Sequence, residues 1–196
     1  MFTYENANNN LYKVDACKKI LPSEKVLSYH KDYESFVTDG NISNSPPDII
    51  LCFANEKNIW STIQENYPPL VIHATTTSNW GINFGRHIPL VEWCIMCRFH
   101  NQIDHDFNSI CGTGVIKTEG NDEILGSLPF VSPAAGVIVL AELMKLSMVN
   151  YPINKNFIQY NYNSKTEGNI FLSMQRSKEK QCPICSTQEI DFYETY

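Results

Sequence analysis

Four of the seven cysteines stand in two Cys-x-x-Cys pairs, Cys94-Ile95-Met96-Cys97 and Cys182-Pro183-Ile184-Cys185. A Cys-x-x-Cys turn sets two sulfurs along one edge of a tetrahedron, and two such turns brought together offer Zn²⁺ the four thiolates it prefers. More than eighty residues separate the pairs, far more than in a compact zinc ribbon, so the metal would act as a staple between distant parts of a fold. Four thiolates leave no open coordination position, which makes such a zinc structural. Two other readings use the same residues: a redox pair of thioredoxin type, and coincidence among buried cysteines. Disulfides belong to a secreted setting. The polar, Asn-rich start from Met1 to Asn10 has neither the basic stretch nor the apolar core of a signal peptide. The expected setting is therefore cytoplasmic, with residues 1–10 disordered.

The elements that would position these cysteines follow from the hydrophobic pattern. The chain has 196 residues, of which 43% are apolar and 12% aromatic, enough for a real core in a single domain over 1–196. The formal charge of −6 attracts no phosphate backbone, which argues against nucleic acid. The longest apolar stretch, 129–146, is broken by Ser132, Pro133, Glu142 and Lys145 and reads as a buried helix, not a membrane span. Residues 11–21 have helical spacing closed by Pro22, 25–29 read as a brief strand, and 35–47 read as a loop rich in Asn, Ser, Gly and Pro. The run 48–54 is apolar and β-branched, as in a strand covered on both faces; a helix over 55–66 and a second strand over 69–74 complete a βαβ pattern. A hairpin partner is expected over 80–87, a polar loop over 98–123, and a helix over 131–149 with Ser132 as cap and Pro133 in its first turn. The alternating runs 156–162 and 169–175 flank a turn, which predicts a C-terminal hairpin.

The order of these features resembles the ubiquitin-activating superfamily, especially its ThiF, MoeB and HesA branch. The residues that carry the likeness are the strand from Asp48, the two Cys-x-x-Cys pairs, and Gly126-Ser127-Leu128-Pro129-Phe130-Val131-Ser132-Pro133-Ala134-Ala135-Gly136 followed by Ala141-Glu142-Leu143-Met144-Lys145-Leu146. The resemblance runs from about Tyr12 to Gln188. It implies a truncated doubly wound, Rossmann-like α/β sheet with a C-terminal hairpin and a four-cysteine zinc staple. It also implies descent from enzymes that use ATP and Mg²⁺ to adenylate the C-terminus of a ubiquitin-like or sulfur-carrier protein. Lys13 matches the family's phosphate-contacting lysine, and a solvated helix lysine is an equal reading of the same residue. Cys111 matches the loop cysteine that takes up sulfur or a carbonyl group, although no neighbouring base or cation in the sequence marks it as reactive.

The departures shape the functional expectation. The family opens on a strand and a Gly-x-Gly-x-x-Gly turn, but here none of the nine glycines precedes Gly40. The family's Mg²⁺-binding carboxylate at the end of the strand becomes Asn55, a neutral amide and a poorer Mg²⁺ ligand. In the family's strand order 3-2-1-4-5 the missing strands lie between 25–29 and 48–54, so the expectation is a contracted sheet that exposes an edge and associates, with itself or with another chain. The expected function is a zinc-binding, partner-binding module that is inactive alone. The alternative is the C-terminal half of a split adenylyltransferase that completes its ATP and Mg²⁺ site with another chain.

Overall fold

The computed structural model describes residues 5, 8–21, 25–40, 47–54, 57–65, 70–77, 81–88, 92–98, 114–117, 123–126, 130–148, 155–162, 170–182 and 184–185. The chain forms two compact units, Met1–Pro46 and Pro47–Tyr196. Within the first ten residues, expected to be disordered, the Asn9 amide donates to the Glu5 carbonyl at 3.0 Å; the others of that segment apart from 8–10 lie outside the described residues.

The first unit holds helices α1 (Lys13–Ile20) and α2 (Tyr33–Thr38). α2 corrects the expectation of a loop from residue 35. The Asp32 side chain accepts from the Ser35 amide at 2.7 Å and from its hydroxyl at 2.9 Å, an N-cap strong enough to start a helix that apolar spacing does not announce. The strand expected over 25–29 is likewise corrected. Residues 26–30 have no ladder among the described residues, because an extended run becomes a strand only when a neighbour takes up its amides and carbonyls. Asp15 organises this stretch, bonding His30 at 2.8 Å and the Ser28 hydroxyl at 3.2 Å, and the His30 ring beside it holds its carboxyl below the usual range.

The second unit is built on a five-stranded mixed sheet of spatial order β1-β2-β3-β6-β7, where β1 is Ile50–Cys52, β2 Val71–Thr77, β3 Gly81–His87, β6 Phe157–Asn161 and β7 Ile170–Met174. β1 and β2 are parallel, joined through helix α3 (Lys57–Glu65); the other pairings are antiparallel. The βαβ unit and the C-terminal hairpin thus stand where the sequence puts them. Inside residues 98–123, expected as a polar loop, strand β4 (Gly114–Lys117) pairs with β5 (Glu123–Gly126), which starts where that segment ends, in a separate two-stranded sheet.

Side-chain alternation divides the main sheet's two faces. Ile72 and Ala74 of β2 and Ile82 and Phe84 of β3 pack under Val131, Ala135 and Val139 of helix α4 (Val131–Leu146). Phe130, not Ser132, occupies the N-cap of α4, and no side chain caps it. The opposite face carries Val71, His73, Asn83, His87 and Phe157, all buried, with the Trp93 ring set edge-on to His73 and Phe157 at centroid distances of 6.0 and 5.7 Å. None of the described helices is long and apolar enough to cross a membrane.

Candidate metal centre

Each cysteine pair is delivered by a chain segment leaving the sheet. β3 ends at His87, and the chain then turns through Glu92 and Trp93 into a 3-10 turn, Ile95–Arg98, that holds Cys97 just beyond Cys94. Arg86 is 2% exposed and forms an ion pair with Glu92 at 2.7 Å, while Glu92 also accepts the Ile88 amide at 3.2 Å. That buried pair ties the end of β3 to the residue two before Cys94. The second pair follows β7. Asn156 accepts the Arg176 amide at 2.7 Å and donates to its carbonyl at 3.0 Å, and the Arg176 guanidinium lies over the Phe157 and Trp93 rings at 4.2 and 5.4 Å. The Cys182 amide then donates to the Glu179 carbonyl at 3.1 Å, which tightens the turn leading into the second pair.

The four sulfurs meet. Sγ of Cys94 lies 3.7 Å from that of Cys97 and 3.4 Å from that of Cys182, Cys97 lies 3.7 Å from Cys185, and all four fall within 4.8 Å of one another. All four residues are buried. These separations are far beyond an S–S bond of about 2.0 Å. They match a tetrahedron, since four sulfurs about 2.3 Å from a central zinc stand roughly 3.8 Å apart. The residues therefore fit a zinc ion. Burial also argues against the redox reading, because a redox dithiol must reach a partner disulfide.

The backbone is prepared for anionic sulfur. The Cys94 amide points at Cys97 Sγ at 3.3 Å and the Cys185 amide at Cys182 Sγ at 3.4 Å. Hydrogen bonds from Cys185 and Cys94 hold the Cys97 thiol well below the usual thiol range, whereas Cys94, bonded to Cys185 and Cys97 and desolvated, is pushed far up. Four sulfurs packed this closely can all ionise only around a cation.

Two supporting residues were not singled out from the sequence. Gln64 of α3 is 1% exposed, and its Oε1 accepts the Ile95 amide at 3.2 Å, tethering the first knuckle to the helix that links β1 and β2. Its signal was a polar residue four positions after Trp60 on the buried side of α3. His87 is desolvated, which lowers its pKa to about 4 against the opposing effect of a hydrogen bond to the Trp93 backbone, so it is neutral at pH 7. Of the other residues drawn from the sequence, Lys13 lies in the first unit, on the wall of a cavity of about 470 Å³ shared with Lys18, Tyr29, Lys31 and Tyr33. Asn55 and Cys111 lie outside the described residues.

No protein-family model matches the chain, and no curated protein matches it. Solved structures do. A crystal structure of E. coli MccB is 18% identical with a TM-score of 0.52, covering 95% of this chain and 53% of that one. E. coli MccB with succinimide is 17% identical at a TM-score of 0.52, covering 91% and 51%. The microcin C7 biosynthetic enzyme MccB in complex with N-formylated MccA is 18% identical at 0.51, covering 89% and 52%. The likeness is one of fold: an α/β unit with a mixed sheet, one parallel pair and a four-cysteine cluster, matching the ThiF-like fold of MccB. The chain spans about half the length of the MccB structures it matches.

Proposed function

We propose that this chain is a zinc-stapled module of ThiF-like fold that works by binding a partner, a ubiquitin-like or sulfur-carrier protein, and has no adenylating activity of its own. The observation that carries the reading is the open end of the sheet. Among the described residues β1 pairs with β2 alone, and Ile49, Leu51 and Phe53 are 39%, 42% and 55% exposed. A parallel strand is normally covered on both faces and paired on both sides, so this end presents apolar surface and an open strand edge together. Such an edge suits β-augmentation, in which main-chain hydrogen bonds supply affinity and side-chain pockets supply selectivity.

The chemical side of the proposal rests on the sequence. Adenylation stabilises charge on transferring phosphate through backbone amides and Mg²⁺. The 196 residues contain no Gly-x-Gly-x-x-Gly turn, and Asn55 replaces a carboxylate. One observation favours a second reading: the match to about half of MccB is consistent with a split enzyme in which another chain brings the glycine loop to the β1 edge. In this reading Lys13 would meet phosphate and Cys111 would take up the transferred group.

ATP–pyrophosphate exchange separates the two. The purified chain, alone and with carrier protein, is expected to give only background exchange. Robust exchange that Lys13→Ala abolishes would overturn the module reading. Native mass spectrometry tests the metal: one Zn²⁺ per chain is expected and Cys182→Ser should lose it, whereas full zinc occupancy in that variant refutes the ligand set.

A further inference from the structure

Four clustered sulfurs can pair off as disulfides within each Cys-x-x-Cys turn or between the two turns. Two observations select a pairing between the turns. The first is exposure. Cys185 is 7% exposed and Cys97 4%, whereas Cys94 and Cys182 are both enclosed at 0%. An oxidant arriving from solvent therefore meets the Cys97 and Cys185 side of the cluster first. Those two residues stand on different chain segments with their sulfurs 3.7 Å apart. The second observation is separation. Once Cys97 and Cys185 are joined, the sulfurs left over are those of Cys94 and Cys182. Their 3.4 Å is shorter than the 3.7 Å inside the Cys94–Cys97 turn.

We propose that hydrogen peroxide converts this cluster into two cross-linking disulfides, Cys97–Cys185 and then Cys94–Cys182, so that a covalent staple takes over from a metal one. The inference rests on the four-sulfur site proposed above and adds a modification to it. Burial that shuts out the disulfide of another protein does not shut out a molecule as small as peroxide. The sulfur of Cys185 attacks the O–O bond, takes one oxygen as a sulfenic acid and releases the other as hydroxide. The sulfur of Cys97 then attacks the sulfenic sulfur, which forms the S–S bond and expels the second oxygen as hydroxide. Each disulfide thus costs one peroxide: the pair of sulfurs gives up two electrons and the two oxygens take them. A second peroxide carries Cys94 and Cys182 through the same steps. A sulfur bound in a disulfide is no longer a thiolate ligand, so the closed site holds no zinc. Both bonds join the segment after β3 to the segment after β7, the same two segments that a metal on the four sulfurs would hold.

The test titrates the full chain with hydrogen peroxide after its zinc content has been measured, then alkylates it and digests it with trypsin without reduction. Cleavage after Arg86, Arg98 and Lys180 puts Cys94 and Cys97 on one peptide and Cys182 and Cys185 on another. The expected result is release of the zinc by about two peroxides per chain, together with a linked pair of these peptides. Fragmentation of the pair should assign Cys97 to Cys185 and Cys94 to Cys182. Hydrogen exchange on the oxidised, metal-free chain should keep Ile170–Met174 protected, in contrast to the reduced chain under chelator. Two internally closed peptides, the opposite assignment of partners, or sulfinic acids in place of disulfides overturn the inference. So does loss of protection at Ile170–Met174 in the cross-linked form. A chain that holds no zinc before oxidation refutes the ligand set, and the linkage of the two peptides then still decides the disulfide pairing on its own.

Discussion

A single methyl group at Gly85 should be enough to disturb the core under the cysteine cluster. Gly85 of β3 stands directly opposite His73 of β2. A Cβ built on Gly85 would lie 2.0 Å from Cε1, 2.5 Å from Nε2 and 2.9 Å from Nδ1 of the His73 ring. Carbon atoms make contact at about 3.5–4.0 Å, so the ring must retreat by roughly 1.5 Å or the strands must part. Retreat is blocked, because His73 is 1% exposed and the Trp93 ring packs edge-on against it, with Trp93 joined to Cys94. Overpacking of this kind costs about 1–3 kcal/mol, and the closeness of three ring atoms places Gly85→Ala at the upper end. At about 3 kcal/mol the melting temperature of a unit this size falls by roughly 6–12 °C. Urea unfolding of the zinc-loaded wild type, Gly85→Ala, His73→Ala and the double variant is the assay. In the His73→Ala background the new methyl meets no ring and replaces a flexible glycine in a strand, so it should be neutral or stabilising. The coupling between the two sites should then reach at least about 2 kcal/mol. A Gly85→Ala protein within about 0.5 kcal/mol of wild type, or a coupling near zero, would refute the reasoning.

Gln64→Leu removes the acceptor for the Ile95 amide while preserving the volume of the side chain, and is expected to weaken zinc affinity about 10–100-fold with little loss of secondary structure; competition with a chromophoric chelator measures it. His87 makes stability fall on acidification. Its folded pKa of about 4 lies below the unfolded value of 6.5, so the unfolded chain takes up the proton first, and stability is full above pH 6.5 and declines until about pH 4. The loss attributable to this residue is roughly 3 kcal/mol. Urea midpoints of wild type and His87→Gln across that window should converge as pH falls, and parallel curves would exclude the assignment.

What was legible in the sequence is what local pattern encodes. β1 and β2 came from apolar, β-branched runs, β3 as a hairpin partner, the β6–β7 hairpin from alternating runs flanking a turn, α4 from a long apolar stretch, and the cysteine cluster from paired spacing. What was not legible needs a partner in space. Residues 25–29 have strand composition, yet an extended run without a neighbour forms no ladder. α2 starts on the Asp32 cap inside a segment that composition assigns to loop, and β4 and β5 lie in a stretch whose polarity conceals pairing. Gly85 reads as a weak point in a strand until the register places His73 across from it. The exposed outer side of α4 was present in the sequence as part of the apolar stretch 129–146. Only the packing of its other side on the sheet shows that half of that run is left over.

The cysteine cluster joins the segment after β3 to the segment after β7, and β3 lies at the centre of the sheet while β7 lies at the edge remote from β1. A metal held by the four sulfurs would therefore clamp β6 and β7 onto β3 and leave the β1 end to its own packing. By the chain-entropy estimate for a cross-link, closing a loop of some 88 residues stabilises the folded state by about 4–5 kcal/mol. Without that contribution β7, an edge strand as β1 is, has β6 as its one neighbour among the described residues, and Phe171 is 64% exposed. β2 and β3 keep the α4 core on one face and Trp93 on the other. Chelation should therefore open the sheet from the β7 side. Hydrogen exchange on the chelated protein, at a temperature where some fold persists, should show Phe157–Asn161 and Ile170–Met174 losing protection before Val71–Thr77 and Gly81–His87. Simultaneous loss across all four strands would mean that the metal holds the whole unit as one cooperative body, and earlier loss at β1 and β2 would show that the open edge, not the staple, is the weak side of the fold.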